Sequence, residues 1–273
     1  MVNIGIIGCG NMGEAILRRG LQETKFNFFV CEKNYQLIGQ LKKRYRIYKN
    51  FRIFSEIEKV LDSVQIIIIA VKPQDIQEVL EKISAFIKAS KRNYLIISIA
   101  AGIKINYLEK RIFRTVRIIR VMPNINILIG KGVVVLKKSR YATSKDLEMT
   151  KKIFNGLGKV IQIKKESLMD AVTALSGSGP AYVAFIIDTI LDAAAKLGLN
   201  RKLSTELIYY TFLGTLELLK NENFQTDKLI LKVASKKGTT QKALEIFEKN
   251  KLSEIIAKGI FSAFQRAKEL AHK

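Results

Sequence analysis

The sequence predicts an α/β fold: a doubly wound, mostly parallel sheet over residues 1–163, followed by an all-helical domain over residues 164–273. Three observations predict it. Short β-branched runs alternate with stretches of helical spacing through the first half, which implies βαβ units. Runs such as "IIIIAV" are apolar at every position, which suits strands buried on both faces. After about residue 164 the strand runs stop and long amphipathic stretches replace them.

Taken in order, the strands are expected at Asn3–Ile7, Asn27–Val30, Gln65–Ala70, Tyr94–Ile99, Val116–Val121 and Gly132–Leu136. Helical spacing fills Gly13–Gln22, Tyr35–Arg44 and Asp75–Ala89 between them. In the second half, Pro180–Leu197 opens on proline and stops at Gly198, a favourable start and stop for a helix. Lys202–Lys220, Asp227–Ala234, Thr240–Lys249 and Ser253–His272 follow as helices. The three prolines, Pro73, Pro123 and Pro180, each fall where a strand meets a loop or a helix begins, where a fixed φ helps.

Composition narrows the function classes. Hydrophobic residues make up 48% of the 273, enough for a core and against disorder. Uninterrupted apolar runs such as Ile66–Val71 are far shorter than a membrane span, and the N-terminus lacks the basic region of a signal peptide. Two cysteines, Cys9 and Cys31, suit a reducing cytoplasm. The net charge of +23 is uneven: residues 1–160 hold 30 Lys and Arg against 12 Asp and Glu. Attraction of a polyanion is one reading of that charge. A lysine-rich surface is the other, and it is preferred because the basic residues are scattered in pairs and form no stripe.

"IGIIGCGNMGEAI" places Gly8, Gly10 and Gly13 in G-x-G-x-x-G spacing, after a strand and opening a helix. Gly8 permits the tight turn, Gly10 the close approach of a pyrophosphate, and Gly13 close helix–strand packing. The helix N-terminus supplies the anion site. This is the order required of a dinucleotide-binding Rossmann unit. Glu32, 24 residues beyond Gly8, suits a ribose diol and NAD, whereas the adjacent Lys33 and Asn34 suit a 2′-phosphate and NADP. The excess positive charge of this half leans toward the phosphorylated cofactor. "AVKPQ", "SIAAGI" and "RVMPN" sit at three further strand ends, where ligands of open α/β sheets bind. The one histidine, His272, is second from the last residue, and no metal cluster or nucleophile–histidine pair can be assembled. Reduction of a carbonyl usually needs a general acid, whereas a protonated imine is already electrophilic and needs position above all.

"IGCGNMGEAI", "AVKPQ", "SIAAGI", "RVMPN", "DAVTALSGSGPAYVAF" and "KGTTQKAL" occur in an order and spacing that resemble the pyrroline-5-carboxylate reductase family from end to end. The resemblance implies reduction of Δ1-pyrroline-5-carboxylate, a small cyclic imine, to L-proline with NADPH, NADH being the alternative. It implies a Rossmann domain and a helical domain that interlocks with a partner's as a homodimer, with higher assemblies of dimers common. It carries dinucleotide contact over to Ile7, Gly8, Cys9, Gly10, Asn11, Met12, Lys33, Asn34, Ala70, Val71, Lys72, Pro73, Ile99, Ala100, Ala101 and Asn124. It carries substrate contact over to Glu166, Ser235, Gly238, Thr239 and Thr240, with Thr240 placed to hydrogen-bond the imine nitrogen as the catalytic residue. The implied substrate site lies between the Rossmann loops and the helical domain, partly supplied by the partner. Thr239 or Thr240 is expected to cap the helix that follows.

The chain departs from the family in three places. Lys236 and Lys237 stand where the family has proline and glycine, Ile125 and Asn126 where it has threonine and proline, and Asn223 near a family glutamate. The small residues Ser176–Gly179 read as a tight backbone approach at the head of the helical domain. A β-hydroxyacid dehydrogenase, which shares the glycine fingerprint, would place a lysine early in "PAYVAFIIDTILDAAAK", where the first is Lys196. A basic dinucleotide-binding regulator of nucleic acid would need a basic stripe interleaved with aromatics. Neither nucleic acid nor membrane is expected as a partner.

Overall fold

A computed structural model describes residues 1–90, 92–112 and 115–271, so His272 lies outside the described residues. Eight strands form one sheet: β1 Val2–Ile7, β2 Phe26–Cys31, β3 Phe51–Phe54, β4 Ile66–Ile69, β5 Leu95–Ser98, β6 Arg117–Pro123, β7 Gly132–Lys138 and β8 Gly158–Gln162. Their order is β3-β2-β1-β4-β5-β6-β7-β8. The first six run parallel, and β7 returns antiparallel to β6. The cause is the link: one turn of 3₁₀ helix at Ile125–Ile129, too short for a parallel crossover. The expected doubly wound sheet is therefore present. β3 and β8, outside the expected set, form its two edges.

The first unit contains α1 Asn11–Gly20, α2 Tyr35–Arg44, α3 Ile57–Leu61, α4 Ile76–Ser90, α5 Ile105–Arg111, α6 Ser144–Phe154 and the short α7 Met169–Val172. β4 explains the continuous apolar run. Ile66 and Ile68 enter one buried cluster with α1, while Ile67 and Ile69 enter the other with α3 and α4. Alternate side chains of one strand thus feed both faces.

The helical half contains α8 Gly179–Lys196, α9 Arg201–Asn221, α10 Thr226–Val233, α11 Thr239–Lys249 and α12 Leu252–Leu270. The sheet ends at Gln162. The compact units divide elsewhere: Met1–Ser178 joined by the stretch from Phe264 onward, and Gly179–Ala263. Glu166 bonds back to Arg120 and Ile105, and Leu270 abuts Gly102, which ties both ends of the helical half to the sheet unit.

Within Gly179–Ala263 only Ala194, Ser204 and Ile208 are buried. The continuous helical run Glu166–Lys196 is long and apolar enough to cross a membrane by length and composition, with a window of mean hydropathy 1.3. Counting uninterrupted apolar residues misses it, because isolated polar residues interrupt the run without making it polar.

Candidate active site

The glycine fingerprint folds as its spacing requires. Gly8 has φ +86°, and a Cβ there would lie 2.8 Å from the Val71 side chain. A Cβ on Gly13 would collide with the Gly8 carbonyl oxygen, so α1 and the end of β1 approach as closely as glycine allows. Gly10 is the N-cap of α1; no side chain caps the helix, and a Cβ at Gly10 would meet only open space. A helix start with uncapped amides and an open backbone approach suits a pyrophosphate. β1 and β4 are neighbours where the winding of the sheet reverses, so this loop stands at the switch point.

A cleft of about 520 Å³ runs from this loop to the end of β2. Of the expected cofactor residues, Ile7, Gly8, Gly10, Lys33, Asn34, Ala70, Val71 and Lys72 line it. The remainder stand around it in other ways. Cys9 is fully buried with its amide taken by Glu32, while burial, with Glu14 and Glu32 nearby, pushes its thiol pKa far up. Asn11 is exposed in the first turn of α1, and Met12 packs on the core. Pro73 opens a 3₁₀ turn after β4. Ile99 and Ala100 are buried beyond β5, and Ala101 is exposed.

Glu32 is 9% exposed and braces the loop. One carboxylate oxygen accepts the Cys9 N–H at 2.8 Å, the other the Asn34 N–H at 3.0 Å. The Asn34 side-chain oxygen accepts the N–H groups of Gln36 and Leu37 and so caps α2. Lys33 Nζ pairs with Asp75 Oδ1 at 2.8 Å. The positive charge of residues 1–160 is not gathered here: Lys33, Lys72 and Lys82 line the cleft against Glu32, Glu56, Glu58, Asp75 and Glu78. The charge of the half therefore says nothing about the cofactor. Together, the open glycine loop, the uncapped helix start and a lysine beside the end of β2 fit a phosphorylated dinucleotide.

Asn124 has a structural task. It is 7% exposed; Oδ1 accepts the Val133 N–H, and Nδ2 donates to the Ser176 carbonyl at 3.2 Å. Four residues on, Pro180 has no N–H with which to give that carbonyl an α-helical bond. The stretch Thr173–Gly177 widens to a π turn here, and a Cβ on Gly177 would press on Met122 at 2.7 Å. The expected tight backbone approach is corrected: Gly177 meets the Met122 side chain at the end of β6, and a Cβ on Gly179 would meet open space. Asn124 thus positions "SGSGP", its side chain occupied internally.

Glu166 opens the helical run. Its Oε1 accepts from Arg120 Nη1 and from the Ile105 N–H, both at 2.8 Å. Arg120 is 3% exposed and also faces Asp170 at 3.9 Å. Arg120 was outside the expected site. Its signal is legible in hindsight: an arginine in a strand buried on both faces must have an anionic partner.

In the helical unit, Ser235–Thr240 forms a turn and a helix start. The expected cap is corrected: Gly238 is the N-cap of α11, and Thr239 and Thr240 are its first helical residues. A side chain at Gly238 would come 2.5 Å from Ser235 Oγ, so glycine takes the cap position and no side chain caps the helix. The amides of the first turn stay open to an anion, with the two threonine hydroxyls beside them. Lys237 adopts φ +63°, the left-handed region, and its N–H donates to Gln241 Oε1 at 2.6 Å.

A family model described as pyrroline-5-carboxylate reductase dimerisation matches residues 166–270. One described as NADP oxidoreductase, coenzyme F420-dependent, matches residues 3–102. The chain is 33% identical to a pyrroline-5-carboxylate reductase of Synechocystis sp., covering 100% of this chain and 99% of that one. Among solved structures it is similar to the Plasmodium falciparum pyrroline carboxylate reductase with NADP bound, at TM-score 0.86 and 28% identity over 99% and 98% of the two chains. It is similar to the Coxiella burnetii pyrroline-5-carboxylate reductase at TM-score 0.87 and 28% identity over the same shares. With likeness along its whole length and a glycine loop built for a dinucleotide, the chain belongs to the pyrroline-5-carboxylate reductase family.

Proposed function

We propose that this protein reduces Δ1-pyrroline-5-carboxylate to L-proline, with NADPH as cofactor and NADH as the alternative. The observation that carries the reading is the likeness to named reductases over the whole chain, not over one domain. The bound dinucleotide supplies a hydride, delivered from C4 of the nicotinamide to C5 of the pyrroline ring. The chain's residues hold and orient. The open amides of α11 and the hydroxyls of Thr239 and Thr240 receive the substrate carboxylate, each helix-terminal contact contributing about 0.3–1 kcal/mol. Thr240 hydrogen-bonds the imine nitrogen. Glu166, held at one oxygen by Arg120 and the Ile105 N–H, keeps its other oxygen for the substrate amine. Protonation of the imine removes the need for a histidine acid.

The assembly is a homodimer or a set of dimers, formed through the helical unit, whose large apolar side chains lack burial in the single chain. The same requirement, and the dimerisation match over residues 166–270, support assigning the apolar run Glu166–Lys196 to a protein partner and not to a bilayer. Two free, buried cysteines suit the cytoplasm, and cell fractionation tests that placement.

The direct test is oxidation of NADPH and of NADH in the presence of pyrroline-5-carboxylate. Absence of turnover with both overturns the proposal. Thr240→Ala is expected to lower kcat/KM about 10- to 100-fold, the loss of one hydrogen bond to a charged group, with cofactor Kd unchanged. Unchanged kinetics in that variant would remove Thr240 from the mechanism.

A further inference from the structure

We propose that Asp75 sets the choice between the two dinucleotides, by competing with the 2′-phosphate for Lys33. This rests on the reading of the cleft as a nicotinamide dinucleotide site. In the Rossmann arrangement the residues just beyond β2 face the adenosine ribose. Here they are Glu32, Lys33 and Asn34. Glu32 already accepts a backbone N–H at each carboxylate oxygen, and Asn34, whose oxygen caps α2, carries no charge. Lys33 is therefore the cation at this position that a 2′-phosphate would draw on. Its ammonium is held by Asp75, which the turn after β4 brings across the mouth of the same cleft.

The other two cations of the lining lie outside the Glu32–Asn34 stretch. Lys82 is occupied by Glu78 at 2.8 Å, and Lys72, the third cation of the lining, has no ion pair among the described residues. Glu56 and Glu58 add negative charge on the α3 side. NADPH must take Lys33 from Asp75, or share it against the repulsion of the carboxylate. NADH, with a 2′-hydroxyl, meets neither demand and leaves the Lys33–Asp75 pair closed. Lys33 is largely exposed, so the contest takes place near bulk dielectric, is screened by salt and tunes selectivity by degrees. Lys33 and Asp75 lie 42 residues apart, so no local motif announces the pair.

The experiment is calorimetric titration of wild type, Asp75→Asn, Lys33→Gln and the double variant with NADPH and with NADH, at low and high salt. Asp75→Asn is expected to tighten NADPH about two- to fivefold at low salt and to move NADH by less than 1.5-fold, the gain shrinking at high salt. Lys33→Gln is expected to weaken NADPH alone. In the double variant the gain from Asp75→Asn should fall below half. An unmoved NADPH-to-NADH ratio in Asp75→Asn overturns the proposal, and so does a gain that survives in full without Lys33. Failure of wild type to bind both dinucleotides overturns the cofactor reading of the cleft as well.

Discussion

At Lys237, a bulky residue sits in a conformation that glycine adopts without cost. Its φ of +63° carries a penalty of about 1–2 kcal/mol for an L side chain. Lys237→Gly removes that penalty but loosens the unfolded chain by about 0.4–1 kcal/mol. The expected net is stabilisation of up to about 1 kcal/mol, read as a higher midpoint in urea with an unchanged slope. A lower midpoint would mean that the lysine side chain makes contacts worth more than its strain. Cys31 gives a pH prediction at the same scale. Burial first, then Glu32 and Glu58, push its thiol up to about 11 from an ordinary value of 9.0. A raised pKa favours the protonated form in the folded state. Its contribution to stability is therefore complete below about pH 9 and is lost as pH rises through about 11. Iodoacetamide should label Cys31 slowly at pH 8 in the folded protein and rapidly once urea unfolds it. Equal rates in the two states would contradict the burial.

At the scale of elements, Arg120 joins β6 to the start of the helical run through Glu166 and Asp170. Arg120→Met leaves Glu166 and Asp170 without their shared cation. Breaking a buried pair costs about 3–5 kcal/mol, and the lower end applies because a quarter of the Glu166 side chain remains exposed. Adding Glu166→Gln should recover part of the loss, as measured by denaturant midpoint; no recovery would mean the cost lies in packing alone. This pair also marks where sequence reading stops. The central strands were legible because burial on both faces forces continuous apolar runs, as in Ile66–Ile69. The edges were not: β3 is half-buried with exposed Arg52, and β8 exposes Lys159, Ile161 and Gln162, so neither carries a clean pattern. The glycine loop was legible down to the role of each glycine, because backbone geometry admits few alternatives. The brace at Glu32, the clamp at Asn124 and the cation at Arg120 were not, since each joins residues brought together only by the crossovers of the sheet. The cap of α11 was misplaced by one or two positions because threonine has the better intrinsic cap preference, and the closeness of Ser235 overrides it.

On the scale of the whole molecule, the two compact units differ in how they are held together. The sheet unit owns two buried clusters, one on each face. The helical unit Gly179–Ala263 buries three residues and leaves Phe185 at 73%, Tyr210 at 68% and Leu231 at 75% exposure. Monomeric proteins rarely expose apolar surface on this scale, and a unit with so little interior cannot offset its own conformational entropy. The dimerisation match over residues 166–270 supports oligomerisation through this unit, and under the proposed homodimer a second copy would supply the missing core, as in obligate interfaces that resemble a domain core cut in half. Helical order and association are then one equilibrium, so stability should depend on protein concentration. Sedimentation is expected to find a dimer or a multiple of it at micromolar concentration, with a melting temperature that rises with protein concentration. Phe185→Glu places a charge among these apolar side chains and should shift the distribution toward monomer, lowering the melting temperature as it does so. A wild-type chain that sediments as a monomer and melts at one temperature across a hundredfold range of concentration would show that the helical unit is stable without a partner.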